Sequence, residues 1–337
     1  MPEMPEVETV RRTVAARVAG RRIEAVEVRR PKFVEPLTPE EFAQRVTGRR
    51  IAEVDRRGKY LILRLTEDGA PGGARAGSGG AKANGAGAKA KPAGEIIIHL
   101  KMAGRLLVCR TGEVLEPKLE KHTHVVFRLE GDEELRHIDL RHFGRVSYVA
   151  GARDRAGYAA HPKLKGLAAL GPEPLSPDFT YEHLKAGLAR RKTKIKPLLL
   201  DQSFVAGLGN IYADESLYRA RIHPERRANE LKPREVRALF EAIQGIIAEA
   251  IAHRGTTIAT YVDGEGRRGE FAAMLLAYGR TGEKCSRCGT PIERIVLGGR
   301  STHFCPKCQK LPGAKRRVAP RKKVARTTVR RDQKVVQ

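Results

Sequence analysis

Four cysteines stand as two Cys-x-x-Cys pairs, Cys285/Cys288 and Cys305/Cys308, with sixteen residues between them. Few patterns restrict local folding as tightly. Thiolates held about 2.3 Å from one Zn²⁺ in a tetrahedron bring both pairs to a single point, and this separation lies within the range for a structural zinc site. Two hairpins too short to hold a core of their own then fold around the ion. The segment between the pairs, Gly298-Gly299-Arg300-Ser301-Thr302-His303, reads as a tight turn that presents Arg300 at the tip of the ribbon. An incidental surface arginine on a purely structural ribbon is the alternative. The fifth cysteine, Cys109, stands alone and is expected to be a buried strand residue. Such usage suits metal binding in a reducing compartment better than a disulfide framework.

The 337 residues suffice for two domains with real cores. Lys and Arg total 65 against 39 Asp and Glu, a net charge of +26. That excess calls for a polyanionic partner, most simply nucleic acid. A membrane surface is the competing polyanion. No stretch approaches the ~20 apolar residues of a spanning helix, and no signal peptide opens the chain. A cytoplasmic protein without a membrane role is expected.

Residues 20 to 150 read as β structure. Short runs rich in β-branched residues cover 23–28, 51–54, 60–65, 95–100, 106–109, 125–129 and 146–149, separated by turn residues. This spacing suggests a sandwich or barrel-like pair of sheets. Residues 69–94 contain only Gly, Ala, Ser, Pro, Asn, Lys and Arg. Nothing there can build a core, and a disordered insertion in a hairpin is expected. From about 160 the texture turns helical, with candidates at 181–190, 196–201, 213–219 and 233–253 and a glycine turn, Gly207-Leu208-Gly209-Asn210, in their midst. Pro233 and Gly255 bracket the longest of them. Residues 310–337 carry eleven Lys or Arg and one Asp, as a disordered polyanion-binding tail would. The expected fold is α+β. An N-terminal helix and β-sandwich domain over 1–150 is followed by a helical domain over 151–280, a zinc ribbon over 281–310 and a basic tail over 311–337.

The opening residues carry chemistry. Met1-Pro2-Glu3-Met4-Pro5-Glu6-Val7-Glu8 places a proline directly behind the initiator Met. Trimming Met1 exposes a secondary amine, which no other residue could supply. An α-amino group titrates at about 7.7–8.0, so much of it is nucleophilic near neutrality. Its adduct with a sugar carbon is an iminium with no N–H to lose, an electron sink, and Glu3 beside it could shuttle protons. Read blandly, the same residues cap an amphipathic helix, with Pro5 in the first turn, Glu6 and Glu8 at its positive end, and Val7, Val10, Val14 and Val18 at helical spacing.

Opening, glycine turn and cysteine spacing together resemble the bacterial formamidopyrimidine-DNA glycosylase family, across essentially all of 1–310 apart from the insertion. That family opens Pro-Glu-Leu-Pro-Glu-Val-Glu-Thr; here the run is Pro2 to Thr9 with Met4 for Leu. Lys196-Pro197-Leu198-Leu199-Leu200-Asp201-Gln202 through Gly207 to Ala213 looks like its helix–two-turn–helix element, and the cysteines like its zinc finger. The resemblance implies a bifunctional glycosylase and lyase that flips its target nucleotide out of damaged duplex DNA, holds one structural Zn²⁺ and acts as a monomer. In that reading Pro2 attacks C1′ and Glu3 moves protons at the sugar. Lys59 serves as general acid and phosphate contact, and Arg300 grips phosphates beside the lesion. DNA contacts carry over to His122, Arg191, Lys192, Lys196 and Asn210, with Glu6 counted among the DNA-binding positions. Met102, Arg141 and Phe143 form the wedge that fills the gap left by the flipped nucleotide.

Several positions depart from the pattern. Lys101 and Ala103 stand where Gly and Ser are usual, Leu140 and His142 where Pro and Arg are usual, and Glu270 replaces an aromatic in the loop over the flipped base, 264–271. Oxidised purines are the implied substrates. An endonuclease VIII-like preference for oxidised pyrimidines, or a catalytically silent zinc-ribbon DNA-binding protein, are the alternatives.

Overall fold

In the computed structural model the described residues are 2–67, 91–151 and 154–312. The basic tail from 313 onward and most of the insertion, 68–90, lie outside them.

Helix α1, Met4–Val18, begins at the residues singled out above. The Glu3 N–H donates to the Glu6 carboxylate at 2.7 Å, so the first turn is closed from within. Val7, Val10, Val14 and Val18 are all buried, as their spacing requires. At roughly 2 kcal/mol per fully buried side chain, this stripe fastens α1 to the sheets.

Eight strands follow in two antiparallel four-stranded sheets. They are β1 (Ile23–Val28), β2 (Arg50–Arg57), β3 (Tyr60–Thr66), β4 (Pro92–His99), β5 (Gly104–Arg110), β6 (Thr123–Leu129), β7 (Glu133–Asp139) and β8 (Arg145–Val149). Their orders are β1-β6-β7-β5 and β2-β3-β4-β8. One core joins α1 to the inner faces of both sheets.

Two expectations need correction. Pro92, Ala93 and Gly94 belong to β4, where Gly94 pairs with Leu65 and Pro92 with Thr66, so the insertion does not reach 94. Strand β7, which no hydrophobic pattern announced, lies between β6 and β5 with every residue buried. Only Leu135 and Ile138 are apolar. Its charges are paired instead, Arg136 with Glu134 at 2.7 Å and Glu133 with Arg17.

Helices α2 (Pro39–Val46), α3 (Pro117–Lys121), α4 (Arg155–Ala160) and α5 (Lys165–Ala168) are short connectors. The second domain packs α6 (Tyr181–Ala189), α7 (Ile195–Leu200), α8 (Asn210–Arg219) and α9 (Pro233–Ala252) around its own core, which Met4 of α1 joins. Strands β9 (Glu293–Leu297) and β10 (Arg300–Phe304) form the final ribbon. Gly298 and Gly299, with φ of 56° and 72°, make its two-residue turn, a conformation that glycine adopts without strain.

A buried ion network seals α1 against the sheets. Glu8 accepts from Arg11, Arg12 and Arg56 at 2.7–3.1 Å. Burial alone would raise the Glu8 carboxyl, but these three guanidinium partners outweigh it and hold the group at about 2. Because the folded value lies below the ordinary 4.5, the contribution is present above that pH and is lost as pH falls toward 2. Glu8→Gln should therefore cost about 2 kcal/mol at pH 7. In denaturant titrations its gap from the parent protein should close as pH falls from 4.5 toward 2.

Candidate active site

The glycine turn brings the two ends of the site together. At its close, α8 offers unpaired backbone N–H groups, and the Glu3 carboxylate occupies them, accepting from Ile211 at 2.9 Å and Tyr212 at 3.4 Å. A carboxylate here is favoured by the helix dipole. A Cβ on Gly209 would lie 2.3 Å from Glu3 Cδ, so only glycine admits this approach. One residue on, Met4 N donates to the Gly207 carbonyl at 3.0 Å, fixing Pro2 and Glu3 across the domain junction.

Pro2, Glu3, Lys59, Asn210 and Arg300 line a cavity of about 480 Å³. Lys59 reaches it from the β2–β3 turn and donates to the Leu208 carbonyl at 2.7 Å. Burial lowers the Lys59 ammonium, against the attraction of Glu3 and Glu6. Burial likewise raises the Glu3 carboxyl, against Lys59 and the helix N–H groups. Both shifts bring the proton affinities of the two groups closer together, which suits proton transfer at this site. Arg300 stands exposed at the start of β10, as the ribbon turn implied.

Two expected DNA contacts are buried instead. Lys196 is fully enclosed, its ammonium 2.6 Å from Asp214 and donating to Ser301 O and Thr302 Oγ1. Asp214 also accepts from the His303 backbone at 2.9 Å. Lys196 thus ties α7 and α8 to β10 and sets the position of Arg300. Glu6 is 1 % exposed. It accepts from Glu3 N, Thr256 N and the Tyr212 hydroxyl. Burial and the neighbouring Glu3 push its carboxyl up to about 7. Neither side chain has a free atom to offer DNA. Asn210 opens α8 and donates from Nδ2 to Ser301 O at 2.9 Å, while its residue borders the cavity.

The three wedge positions share one rim. Met102 and Phe143 are 40 % and 48 % exposed, an unusual state for large apolar side chains at the edge of a sandwich. Arg141 lies over the Phe143 ring at 5.1 Å. Fully buried Asp139 shapes this turn by accepting from the backbones of Arg141, Phe143 and Gly144 at 2.6–2.9 Å. That role went unread in the sequence, although an acid closing β7 before Leu140-Arg141-His142 is a turn signal. His122 sits beside the same turn, its ring stacked 5.4 Å from His142. Farther along, Lys192 is exposed, and Arg191 lies 4.9 Å above the Phe204 ring.

The loop expected over the cavity requires a shift in register. Residues 264–271 turn away. Gly264 donates to Thr13 Oγ1 and accepts from Val108 N, and Glu270 pairs with Thr256. Thr256 and residues 258–261 line the cavity instead, with Ile258 54 % exposed.

The four Sγ atoms of Cys285, Cys288, Cys305 and Cys308 lie within 4.8 Å of one another. Two of the pairs, Cys288/Cys305 and Cys285/Cys308, stand 3.5 and 3.9 Å apart. A tetrahedron of 2.3 Å Zn–S bonds has edges of about 3.8 Å, so the cluster fits one Zn²⁺. Cys109 is buried in β5, as expected. Among the described residues no helix is long and apolar enough to cross a membrane.

A cavity that gathers Pro2, a buried acid and a buried lysine beside exposed apolar side chains and basic groups suits an enzyme that works on DNA. The comparisons with known proteins agree. Residues 1–146 match the formamidopyrimidine-DNA glycosylase N-terminal domain, 170–262 its H2TH domain, and 282–311 the zinc finger found in FPG and IleRS. A formamidopyrimidine-DNA glycosylase of Heliobacterium modesticaldum is 46 % identical over 310 residues, 92 % of this chain and all of the relative. One from Listeria innocua is 41 % identical over the same shares. Lactococcus lactis Fpg in complex with a DNA containing an abasic site superposes with a TM-score of 0.76 at 36 % identity, over 92 % of this chain and all of that one. The chain belongs to the formamidopyrimidine-DNA glycosylase family. It is a DNA-repair glycosylase with a structural zinc finger.

The link from zinc to Arg300 is open to test. Cys288→Ser, or chelation of the metal, should weaken binding to abasic-site DNA at least about tenfold, or 1.4 kcal/mol, in fluorescence anisotropy. The far-UV spectrum of the sandwich and helices should persist.

Proposed function

We propose that the N-terminal amine of Pro2 carries out both base excision and strand cleavage. The cavity that gathers Pro2, Glu3, Lys59 and Arg300 carries this reading. With Met1 removed, the amine lone pair attacks C1′ of the everted nucleotide. The glycosidic bond breaks, and the base leaves with a proton. Glu3, raised by burial, protonates the ring oxygen O4′, and opening of the sugar leaves an iminium on Pro2. Loss of a C2′ proton then expels the 3′ phosphate, and a second elimination expels the 5′ phosphate. Lys59 supplies the general acid, and Arg300 neutralises the backbone at the lesion. Met102 and Phe143 fill the vacated stack while Arg141 reads the orphaned base. Lys192, Arg191, His122 and Asn210 border the DNA path; Lys196 and Glu6 position the groups that do the work. All of these residues come from one chain, so a monomer suffices, and an enzyme acting on chromosomal DNA works at the nucleoid.

The relatives' names and the L. lactis complex with a Fapy-dG-containing DNA support ring-opened and oxidised purines as substrates. A complex of L. lactis Fpg, 35 % identical with a TM-score of 0.75, holds a DNA containing an oxidised pyrimidine, which favours a second, weaker activity on such bases.

Excision rates on duplexes carrying 8-oxoguanine or thymine glycol test the reading. The purine lesion should be excised at least about tenfold faster, a barrier difference of 1.4 kcal/mol or more. Pro2→Gly or retention of Met1 should slow excision of both by more than about a hundredfold. An equal rate for a Met1-retaining protein would remove Pro2 from the mechanism.

A further inference from the structure

Beside the catalytic cavity lies a smaller pocket of about 30 Å³ that the mechanism does not use. Its floor is the outer face of the β3-β4-β8 sheet. Period-two alternation and strand register put Tyr60, His99 and Arg145 in one row across three strands, and Ile62, Ile97 and Ser147 in the next. Leu164, Lys163 and Lys101 complete the lining.

The chemistry of this lining is one-sided. Lys101, Arg145 and Lys163 bring three cations, and no acidic side chain lines the pocket. Lys163 is held at the rim by Glu35 at 3.3 Å, and Arg145 donates to the Phe143 and Gly144 carbonyls. His99 accepts from Lys101 N through Nδ1 at 3.0 Å. Burial and the charges of Lys101 and Lys59 keep this ring neutral well below its ordinary value, so Nε2 carries the proton and is a donor. Ser147 is 1 % exposed, and its hydroxyl has no hydrogen-bond partner. A buried hydroxyl left unpaired between cations is a costly arrangement that a bound acceptor would relieve. Lys101 adds an independent sign. It holds φ at 53°, in the left-handed region that glycine occupies without strain, yet the position carries a long cationic side chain.

We propose that this pocket is a second anion site that seats the oxygens of a phosphate group between Lys101, Arg145, Lys163 and the Ser147 hydroxyl. The volume admits about two waters' worth of atoms, which suits phosphate oxygens and excludes a base or sugar. Arg145 lies two residues beyond the wedge residue Phe143 and donates to its carbonyl, so an anion here also braces the wedge turn. The group comes either from the DNA backbone or from free phosphate; His99 and Lys101 also border the catalytic cavity, and neither arm of the test reads excision, so its outcome is separable from the catalytic proposal.

In the first arm, the full-length protein with Met1 removed is melted in increasing inorganic phosphate, with chloride matching the ionic strength. In the second, its affinity for an abasic-site duplex is followed from about 50 to 200 mM salt. Seating of free phosphate raises the melting temperature of the parent protein, and Lys101→Gly and Ser147→Ala abolish the rise. Seating of a backbone phosphate lowers the log–log salt slope by about 0.9 in Lys101→Gly and weakens binding in Ser147→Ala. Lys101→Gly places glycine at a left-handed position, so its melting temperature without phosphate should equal or exceed the parent's. Should it fail to fold, Ser147→Ala decides alone. Parent-like behaviour of both variants in both arms overturns the proposal. A slope loss in Lys101→Gly with no weakening in Ser147→Ala also overturns it, because the lysine would then act outside the pocket.

Discussion

The Glu3 carboxylate on the N-terminus of α8 is the contact that the site depends on. It joins the third residue of the chain to a helix more than two hundred positions later. Through it, Pro2 stands at the junction of two domains, in a cavity that Glu3 and Lys59 also line. Gly209 makes the approach possible, and the helix dipole makes a carboxylate the right group to approach.

Behind this contact runs a chain of buried polar groups with one function, to hold reactive groups still. Glu6 couples the first turn of α1 to Tyr212 and to Thr256 at the edge of the cavity. Lys196 and Asp214 couple α7 and α8 to β10, and so to Arg300. Buried ion pairs are poor sources of net stability, because desolvation offsets most of their attraction. Their use here is positional. Each fixes a distance between elements that a hydrophobic contact would leave free to slide. The zinc ribbon, too small to hold itself, gains rigidity from both its metal and this latch.

The sandwich was legible from short runs of β-branched residues set off by turns, α1 and α9 from their apolar spacing, and the ribbon from four cysteines. Strand β7 was not, since Glu133, Glu134, Arg136 and Asp139 are buried through pairing that no local pattern displays. Chemistry and family resemblance singled out Pro2, Glu3, Lys59 and Arg300, and all four border one cavity. The same reasoning put Glu6 and Lys196 on the DNA face. A carboxylate in a first turn, or a lysine before a glycine turn, looks alike whether it meets solvent or a buried partner, and the partners Tyr212, Thr256 and Asp214 are visible only in three dimensions. Met102 and Phe143 show the reverse. They would pass for core residues until their exposure is seen.

The central claim, that the α-amine of Pro2 is the nucleophile, is tested most directly by reduction of the intermediate. The protein with Met1 removed is mixed with 8-oxoguanine duplex and sodium borohydride, then digested and sequenced by mass spectrometry. The account predicts a stable secondary-to-tertiary amine conversion, with the sugar remnant attached to the peptide that begins at Pro2. Attachment at Lys59 or another lysine, or excision without any trapped adduct, would contradict it.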